Sequence, residues 1–193
     1  MDLLLLGPQG SGKGTQAVRL AADYGIPHIS TGEMFRDAID AGTELGRRVE
    51  PVLAAGELVP DDLAVELIRE RLDQPDARGG FVLDGFPRNL AQAEALDAML
   101  SDIDRHLDAV FYFELPDAIA MERLLGRSHA EGRTDDTPEV IARRLAIYHE
   151  QTEPLVEYYR ADDRLVPLHA ERPIDEVNAE VQDALERLEG RVA

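Results

Sequence analysis

The chain has 193 residues, 44% of them hydrophobic, which is enough to fill the core of a single domain. Its 39 acidic and 20 basic residues give a formal net charge of −19, which disfavours nucleic acids and anionic membranes as partners. It has no cysteine, which excludes disulfides and thiolate metal sites. Its longest purely apolar run is far too short for a membrane span. We therefore expect a cytoplasmic protein.

Short apolar runs alternate with helical patterns along the chain. Strands are predicted, in chain order, at residues 3–6, 28–29, 81–83, 109–114 and 165–168. Helices are predicted at residues 13–24 and 89–100, after Pro116, and from Pro173. Because short buried strands separated by helices form parallel sheets covered on both faces, the pattern predicts an α/β fold with five strands.

Residues 31–73 depart from this alternation. They contain helical patterns but no convincing strand, and the patterns are broken at Gly42, Gly56 and Pro60. We therefore expect a helical insertion between the second and third strands.

Residues 126–137 are polar and carry two glycines, so they are predicted to form a loop between helices. Thr137 followed by Pro138 is typical of a helix start, with a capping hydroxyl and a proline at the first helical position. The helix that follows should be kinked or interrupted at Pro154.

A glycine-rich segment, GPQGSGKGT at residues 7–15, follows the first strand and opens the first helix. Glycines let successive backbone N–H groups turn towards phosphate oxygens, and a helix N-terminus adds partial positive charge. Lys13 would then reach the β- and γ-phosphates of a nucleotide. The hydroxyl expected after the lysine is displaced by one position, because Gly14 precedes Thr15. The alternative is a glycine-rich turn with an exposed lysine, but the strand-to-helix context favours the phosphate site.

Three motifs together resemble the adenylate kinase family: GPQGSGKGT at residues 7–15, STGEMFR at residues 30–36 and DGFPR at residues 84–88. The resemblance covers essentially the whole chain, and the displaced Thr15 is itself a feature of that family. It implies a P-loop NTPase fold with a five-stranded parallel sheet flanked by helices, of the short-lid bacterial type. The implied parts are a core at residues 1–29, 60–125 and 138–193, a helical NMP-binding insertion at residues 30–59, and a short lid loop at residues 126–137.

The same resemblance implies the reaction MgATP + AMP ⇌ 2 ADP, catalysed by a monomer that serves adenine nucleotide homeostasis. Its partners would be ATP, AMP and ADP, with Mg²⁺ bound to ATP and no zinc. Thr31 favours AMP as acceptor, since the related uridylate and cytidylate kinases usually carry alanine there. Two alternatives stay open: another nucleoside monophosphate kinase, of the UMP/CMP type, and a nucleotide-binding sensor on this scaffold.

Site residues follow from the resemblance by their matching positions. ATP binding is implied for Gly10, Ser11, Gly12, Lys13, Gly14, Thr15, Arg123, Arg127 and Arg172. AMP binding is implied for Thr31, Arg36, Glu57, Leu58, Val59, Gly85, Phe86, Pro87, Arg88, Gln92, Arg133 and Arg144. Catalytic roles fall on Lys13, Arg88, Arg123, Arg133 and Arg144, and Asp84 would hold Mg²⁺ through water. Guanidinium groups suit this chemistry because they bind phosphate oxygens in pairs.

Several of these residues also allow a plain structural interpretation. Gln92 lies three positions after Asn89, as in a capping box, and would then tie down its own helix rather than read adenine. Arg36 taken alone is an ordinary surface residue, and Asp84 taken alone is a buried structural aspartate. Arg172 stands where relatives often have glycine, so only its backbone is expected to contact adenine.

Lysine is almost absent from the chain. Of the 20 basic residues, Lys13 is the single lysine and the other 19 are arginines. Two explanations stay open: GC-rich coding, and adaptation to high salt, where an acidic and lysine-poor surface remains hydrated.

Overall fold

The computed structural model describes residues 1–131 and 137–192. Its strands are β1 (Asp2–Leu6), β2 (His28–Ser30), β3 (Phe81–Asp84), β4 (Ala109–Glu114) and β5 (Leu165–His169). They form one sheet in the order β2-β3-β1-β4-β5, and every neighbouring pair is parallel. The predicted five-stranded parallel sheet is therefore confirmed. All of its strands end at the same edge, where open α/β sheets bind ligands.

Helices cover both faces of this sheet. They are α1 (Lys13–Tyr24), α2 (Thr31–Asp40), α3 (Glu44–Ala54), α4 (Asp61–Leu72), α5 (Leu90–Ser101), α6 (Asp117–Glu131), α7 (Pro138–Ile147), α8 (Leu155–Arg160) and α9 (Ile174–Val192). A short 3-10 helix, Pro75–Gly79, precedes β3. None of the helices in the described ranges is long and apolar enough to cross a membrane.

The central strand β1 supplies both hydrophobic cores because its side chains alternate between the two faces of the sheet. Leu4 and Leu6 belong to the core that packs under α4, α5 and α8. Leu3 and Leu5 belong to the opposite core, against α1 and α9. All four leucines are at most 2% exposed, so β1 is held rigidly just before the glycine-rich segment begins.

The predicted helical insertion is present as α2 and α3, with α4 returning the chain to the sheet. Gly42 and Gly56, with φ angles of 62° and 74°, follow α2 and α3 where left-handed backbone favours glycine. Pro60 stands immediately before α4, as predicted from the helix-breaking residues.

The loop expected at residues 126–137 begins later than predicted. Helix α6 continues to Glu131, so residues 126–131 are helical. Gly126 has the poorest helix propensity in that stretch, and one interior glycine costs about 1 kcal/mol, which a longer helix tolerates. Residues 132–136, which include Arg133, lie outside the described part of the chain. On the far side, Thr137 accepts a hydrogen bond from the backbone of Val140 at 3.3 Å, which confirms the predicted cap.

A π-helical turn, Tyr148–Thr152, separates α7 from α8. The N–H of Glu153 donates to the carbonyl of Tyr148 at 2.8 Å, the wider spacing that defines such a turn. The predicted interruption near Pro154 is confirmed. The wider turn also directs side chains towards the carboxyl ends of the strands.

Candidate active site

A cavity of about 920 Å³ opens at the carboxyl ends of the strands. Most of the predicted site residues line it: Gly10, Gly12, Lys13, Gly14, Thr15, Thr31, Arg36, Glu57, Leu58, Val59, Asp84, Gly85, Phe86, Arg88, Gln92, Arg123 and Arg144. They come from six separate stretches of the chain. Residues that are far apart in the sequence therefore surround one cavity in the folded chain.

The glycine-rich segment wraps around the ammonium group of Lys13. Its Nζ donates to the carbonyl oxygens of Gly7 and Pro8, each at 2.8 Å, and lies 3.3 Å from Ser11 Oγ. Gly12, at a φ of 88°, caps α1 without a side-chain hydrogen bond, so the first N–H groups of the helix remain directed at the cavity. A positive group thus sits beside a helix N-terminus, the arrangement that binds phosphate.

Gly10 is required by close packing as well as by its φ of 82°. A Cβ there would lie 2.9 Å from the carbonyl oxygen of Ala120 and 3.1 Å from Leu124 Cγ. The phosphate loop therefore rests directly on α6, the helix that carries Arg123 and Arg127.

Asp84 ends β3 and faces the same loop. Its side chain is 16% exposed, and its Oδ2 lies 3.9 Å from His28 Nε2. Burial raises the pKa of Asp84, but neighbouring His28, Lys13 and Arg88 outweigh it, so the pKa is lowered overall and the carboxylate stays ionised.

This carboxylate fits an indirect role in holding Mg²⁺. The cation binds oxygen ligands and usually keeps several waters, using one or two carboxylates together with substrate phosphates. Within the described ranges, no group of three or more histidine, aspartate or glutamate side chains forms a metal cage. Asp84 supplies one charged oxygen donor beside the phosphate loop, which is the arrangement such a cation needs.

Arg88 lines the cavity together with two other arginines, Arg36 and Arg144, whose charges act on it. Its Nε donates to the carbonyl of Gly85 at 2.7 Å, which fixes the direction of the side chain. Burial lowers the pKa of Arg88, and the charges of Arg144 and Arg36 lower it further, while Asp84 opposes them. A cavity lined by several guanidinium groups is suited to binding an anion, which would offset their repulsion. The three arginines are therefore candidates for binding an anion in this cavity.

Two helices from different parts of the chain supply the other guanidinium groups. Arg36 comes from α2 and folds back over Gly32. A Cβ added to Gly32 would lie 3.3 Å from Arg36 Nη1. Arg144 comes from α7, and its Nη2 donates to the carbonyl of Leu53 at 3.4 Å. The neighbouring Arg143 pairs with Glu57 at 2.8 Å, so α7 is tied to the insertion at two points.

Gln92 is nearly fully buried, at 1% exposure, and both ends of its carboxamide have protein partners. Asn89 caps α5 by accepting from the Gln92 N–H at 3.0 Å, so the helix cap is confirmed. In a capping box, the side chain of Gln92 would accept from the N–H of Asn89. Here, Gln92 Oε1 instead accepts from the N–H of Arg88 at 2.7 Å. Its Nε2 donates to Asp61 Oδ1 at 2.7 Å.

Arg123 lies at the edge of the cavity and binds the loop after β5. Its two Nη atoms donate to the carbonyl oxygens of Ala170 and Glu171, at 2.8 and 3.2 Å. Arg172, the neighbouring residue in that loop, does not line the cavity. Its side chain pairs with Glu180 and its N–H donates to the carbonyl of His169 at 3.1 Å.

Two further predicted residues, Ser11 and Pro87, are buried and do not line this cavity. Ser11 is 3% exposed and contacts Lys13, and Pro87 is buried beside Arg88. Arg127 belongs to α6, but its side chain, like the whole of Arg133, is not among the described parts of the chain.

Sequence reasoning missed Tyr148 and Thr152, both in the π turn and both at the cavity. Thr152 Oγ1 donates to the carbonyl of Arg88 at 2.7 Å. This bond holds the backbone of Arg88 in place. Burial raises the pKa of Tyr148, so its hydroxyl is neutral at any physiological pH. The only sequence signal near these residues is Pro154, which predicts a break but not its direction.

Comparison with known proteins identifies close relatives. The sequence model of the family described as adenylate kinase matches residues 5–164. An adenylate kinase of Mycobacterium bovis (strain BCG / Pasteur 1173P2) is 50% identical over 185 residues, which is 96% of this chain and 99% of the relative. One of Stenotrophomonas maltophilia (strain K279a) is 46% identical with the same coverage. One of Cyanothece sp. (strain PCC 7425 / ATCC 29141) is 46% identical over 97% of this chain and 96% of the relative.

Proposed function

Since the chain belongs to the adenylate kinase family, we propose that its cavity aligns MgATP and AMP for direct phosphoryl transfer between them. The activity is that of an ATP:AMP phosphotransferase, a nucleoside monophosphate kinase. In this proposal, each nucleotide is bound by its own set of side chains.

The phosphates of ATP are assigned to the glycine-rich loop. Backbone N–H groups of residues 10–15 and the N-terminus of α1 would face the phosphate oxygens, with Lys13 as the point charge among them. Mg²⁺, when bound with ATP, supplies charge neutralisation at the β- and γ-phosphates. Asp84 would hold water on that cation, since its lowered pKa keeps it ionised. Arg123 and Arg127 on α6 would complete the ATP side.

The phosphate of AMP is assigned to the three guanidinium groups of Arg36, Arg88 and Arg144. Their mutual repulsion is part of what lowers the pKa of Arg88, and a bound phosphate would relieve it. The base of AMP would lie between Thr31, the backbone of residues 57–59 and the carboxamide of Gln92, all of which line the same cavity. Arg133 is proposed to bridge the two phosphates, on the family resemblance alone.

Transfer between these sites needs no protein nucleophile. An oxygen of the AMP phosphate attacks the γ-phosphorus of ATP, a new P–O bond forms, and the bond to the β–γ bridging oxygen breaks. The electron pair leaves with that oxygen as ADP, and the phosphorylated AMP is the second ADP. The protein contributes alignment of two polyanions and neutralisation of the spreading charge. Lys13 and the arginines supply that charge in a chain of net −19.

The observation that supports the assignment best is that Arg36, Arg88 and Arg144 line the same cavity as Lys13. A coupled assay of nucleoside diphosphate formation, with ATP and AMP, CMP, UMP or GMP as acceptor, tests it. We expect AMP to be preferred and Lys13→Ala to reduce turnover by at least about a hundredfold. Arg19→Ala, which also removes one positive charge from α1 but at the surface, should retain wild-type turnover.

Each alternative has its own outcome in this assay. Preference for UMP or CMP would reassign the enzyme to another monophosphate kinase class. Tight nucleotide binding without turnover would support a nucleotide sensor. Near wild-type turnover in Lys13→Ala would contradict the assigned mechanism.

We also propose that the enzyme acts as a monomer, since residues proposed to bind both nucleotides line one cavity within one chain. Light scattering of the purified protein should give a mass near 21.3 kDa. A mass of twice that value would overturn this part of the proposal.

A further inference from the structure

We propose that Asp61 is a specificity-determining positioning residue, which fixes the orientation of the Gln92 carboxamide and so favours a 6-aminopurine over a 6-oxopurine in the acceptor site. The inference rests on the proposed function, because it takes Gln92 to be the side chain that faces the acceptor base. Asp61 itself does not line the cavity. It would act only through Gln92.

Asp61 begins α4, immediately after the insertion, and reaches across to the start of α5. Its Oδ1 accepts two hydrogen bonds, from Gln92 Nε2 at 2.7 Å and from Asn89 Nδ2 at 2.8 Å. On the other side of the carboxamide, Gln92 Oε1 accepts from the backbone N–H of Arg88 at 2.7 Å. The buried amide is thus held between an acceptor and a donor.

This pair of contacts permits only one orientation of the amide. A carboxylate has no N–H or O–H to donate when ionised, so it requires Nε2 on its side, and the Arg88 N–H cannot accept, so it requires Oε1. Rotation of the amide by half a turn would place oxygen against carboxylate and N–H against N–H. Both contacts are repulsive, and a buried polar group left without its partner is costly.

The fixed amide still has one N–H on Nε2 and one acceptor position on Oε1. Adenine offers the complement, with an acceptor at N1 and a donor at its 6-amino group. Hypoxanthine, the base of IMP, offers the opposite pattern, with a donor at N1–H and an acceptor at its 6-oxo group. To bind it in the same place, Gln92 would have to rotate against both Asp61 and Arg88.

The test is the ratio of kcat/KM for AMP to that for IMP, measured with saturating ATP. Asp61→Asn keeps the shape but presents either an oxygen or an N–H to Gln92, so either amide orientation finds a partner there. We expect the AMP-to-IMP ratio to fall by about tenfold, the effect of one hydrogen bond to a charged group. The KM for ATP should not change, since Asp61 is linked only to the acceptor side.

Asp62→Asn is the matched control. It removes the same charge from the same first turn of α4, and Asp62 is exposed and outside the contacts with Gln92. It should leave the AMP-to-IMP ratio at the wild-type value. An equal fall of the ratio in both variants would mean a general charge effect and would overturn the inference.

Gln92→Ala separates the inference from the function on which it rests. If Gln92→Ala lowers the ratio and Asp61→Asn does not, the role of Asp61 is wrong while the acceptor site stands. If Gln92→Ala leaves the ratio unchanged, Gln92 does not read the base, and the assignment and the inference fail together. In the double variant, Asp61→Asn should produce no further change beyond Gln92→Ala, and an additional fall would contradict an action through Gln92.

Discussion

The imidazole Nε2 of His149 lies 2.9 Å from the carboxylate of Asp117, which ties the π turn to the first residue of α6. Its Nδ1 lies 2.9 Å from Glu153 Oε2, and the ring packs edge-on against Tyr148. Hydrogen bonds with Glu153 and Asp117 raise the pKa of His149, although partial burial opposes them. When it is protonated, the ring joins the turn that holds the backbone of Arg88 to the helix that carries Arg123.

This contact predicts a pH-dependent stability. Because the folded pKa of His149 exceeds the unfolded value of about 6.5, its stabilisation is complete below that value and is lost as pH rises through the folded pKa. His149→Gln should lower Tm by about 1–3 °C at pH 6, and by less at pH 9. Thermal unfolding at both pH values checks this. His106→Gln, at an exposed histidine, should show no such difference, and an equal loss for His149→Gln at both pH values would contradict the assignment.

Substitution of Gly85 should raise the KM for AMP by more than its effect on stability explains. Its φ is 85°, and a Cβ there would lie 2.7 Å from Thr31 Oγ1 and 3.4 Å from Arg88 Nη2. Gly85→Ala should destabilise the protein by about 1–3 kcal/mol and should also raise the KM for AMP several-fold, measured in the coupled assay.

Gly25→Ala separates the two effects. Gly25 also has a left-handed backbone, with a φ of 64°, but a Cβ there would meet nothing within 4 Å. We expect it to cost similar backbone strain with an unchanged KM for AMP. Equal KM values for the two alanine variants would remove the steric argument for Gly85.

A buried ion pair at the opposite end of the sheet predicts a stability effect without a catalytic one. Asp2 in β1 is 4% exposed and binds Arg105, which also donates to the carbonyl of Ala77 at 2.9 Å. Arg105→Met would leave the Asp2 carboxylate buried without its partner, at a cost of about 3–5 kcal/mol.

Urea unfolding measures this cost, and the double variant tests its origin. Asp2→Asn with Arg105→Met should be more stable than Arg105→Met alone, because the unpaired charge is gone. A double variant less stable than Arg105→Met would show that the loss comes from packing. Turnover should be unaffected in both, since neither residue lines the cavity.

The features that the sequence predicts well are those that depend on a few neighbouring residues. Continuous apolar runs such as residues 3–6 predict buried strands, and the glycines around Lys13 predict the phosphate loop, because in each case local chemistry alone determines the structure. The helix cap at Asn89 and the break near Pro154 are predictable for the same reason.

The features that it does not predict depend on packing between distant segments. The end of α6 at Glu131 rather than at residue 126 has no local marker, because a single Gly126 is tolerated in a helix. The bond between Gln92 and Asp61 joins residues 31 positions apart, and Thr152 reaches Arg88 only because a π turn re-aims it. Arg172 does not line the cavity, and its side chain pairs with Glu180 while its N–H donates to His169, so the expected contact of its backbone with adenine stays a prediction.

We propose that Arg88, with Arg36 and Arg144, holds the phosphate of AMP. The most direct test is the dependence of initial rate on AMP concentration for the wild type and Arg88→Gln, with Arg69→Gln on the exposed surface of α4 as control. We predict that Arg88→Gln lowers kcat/KM for AMP by at least about a hundredfold while the KM for ATP changes little. A kcat/KM within about threefold of the wild-type value, a difference of only about 0.7 kcal/mol, would contradict the account.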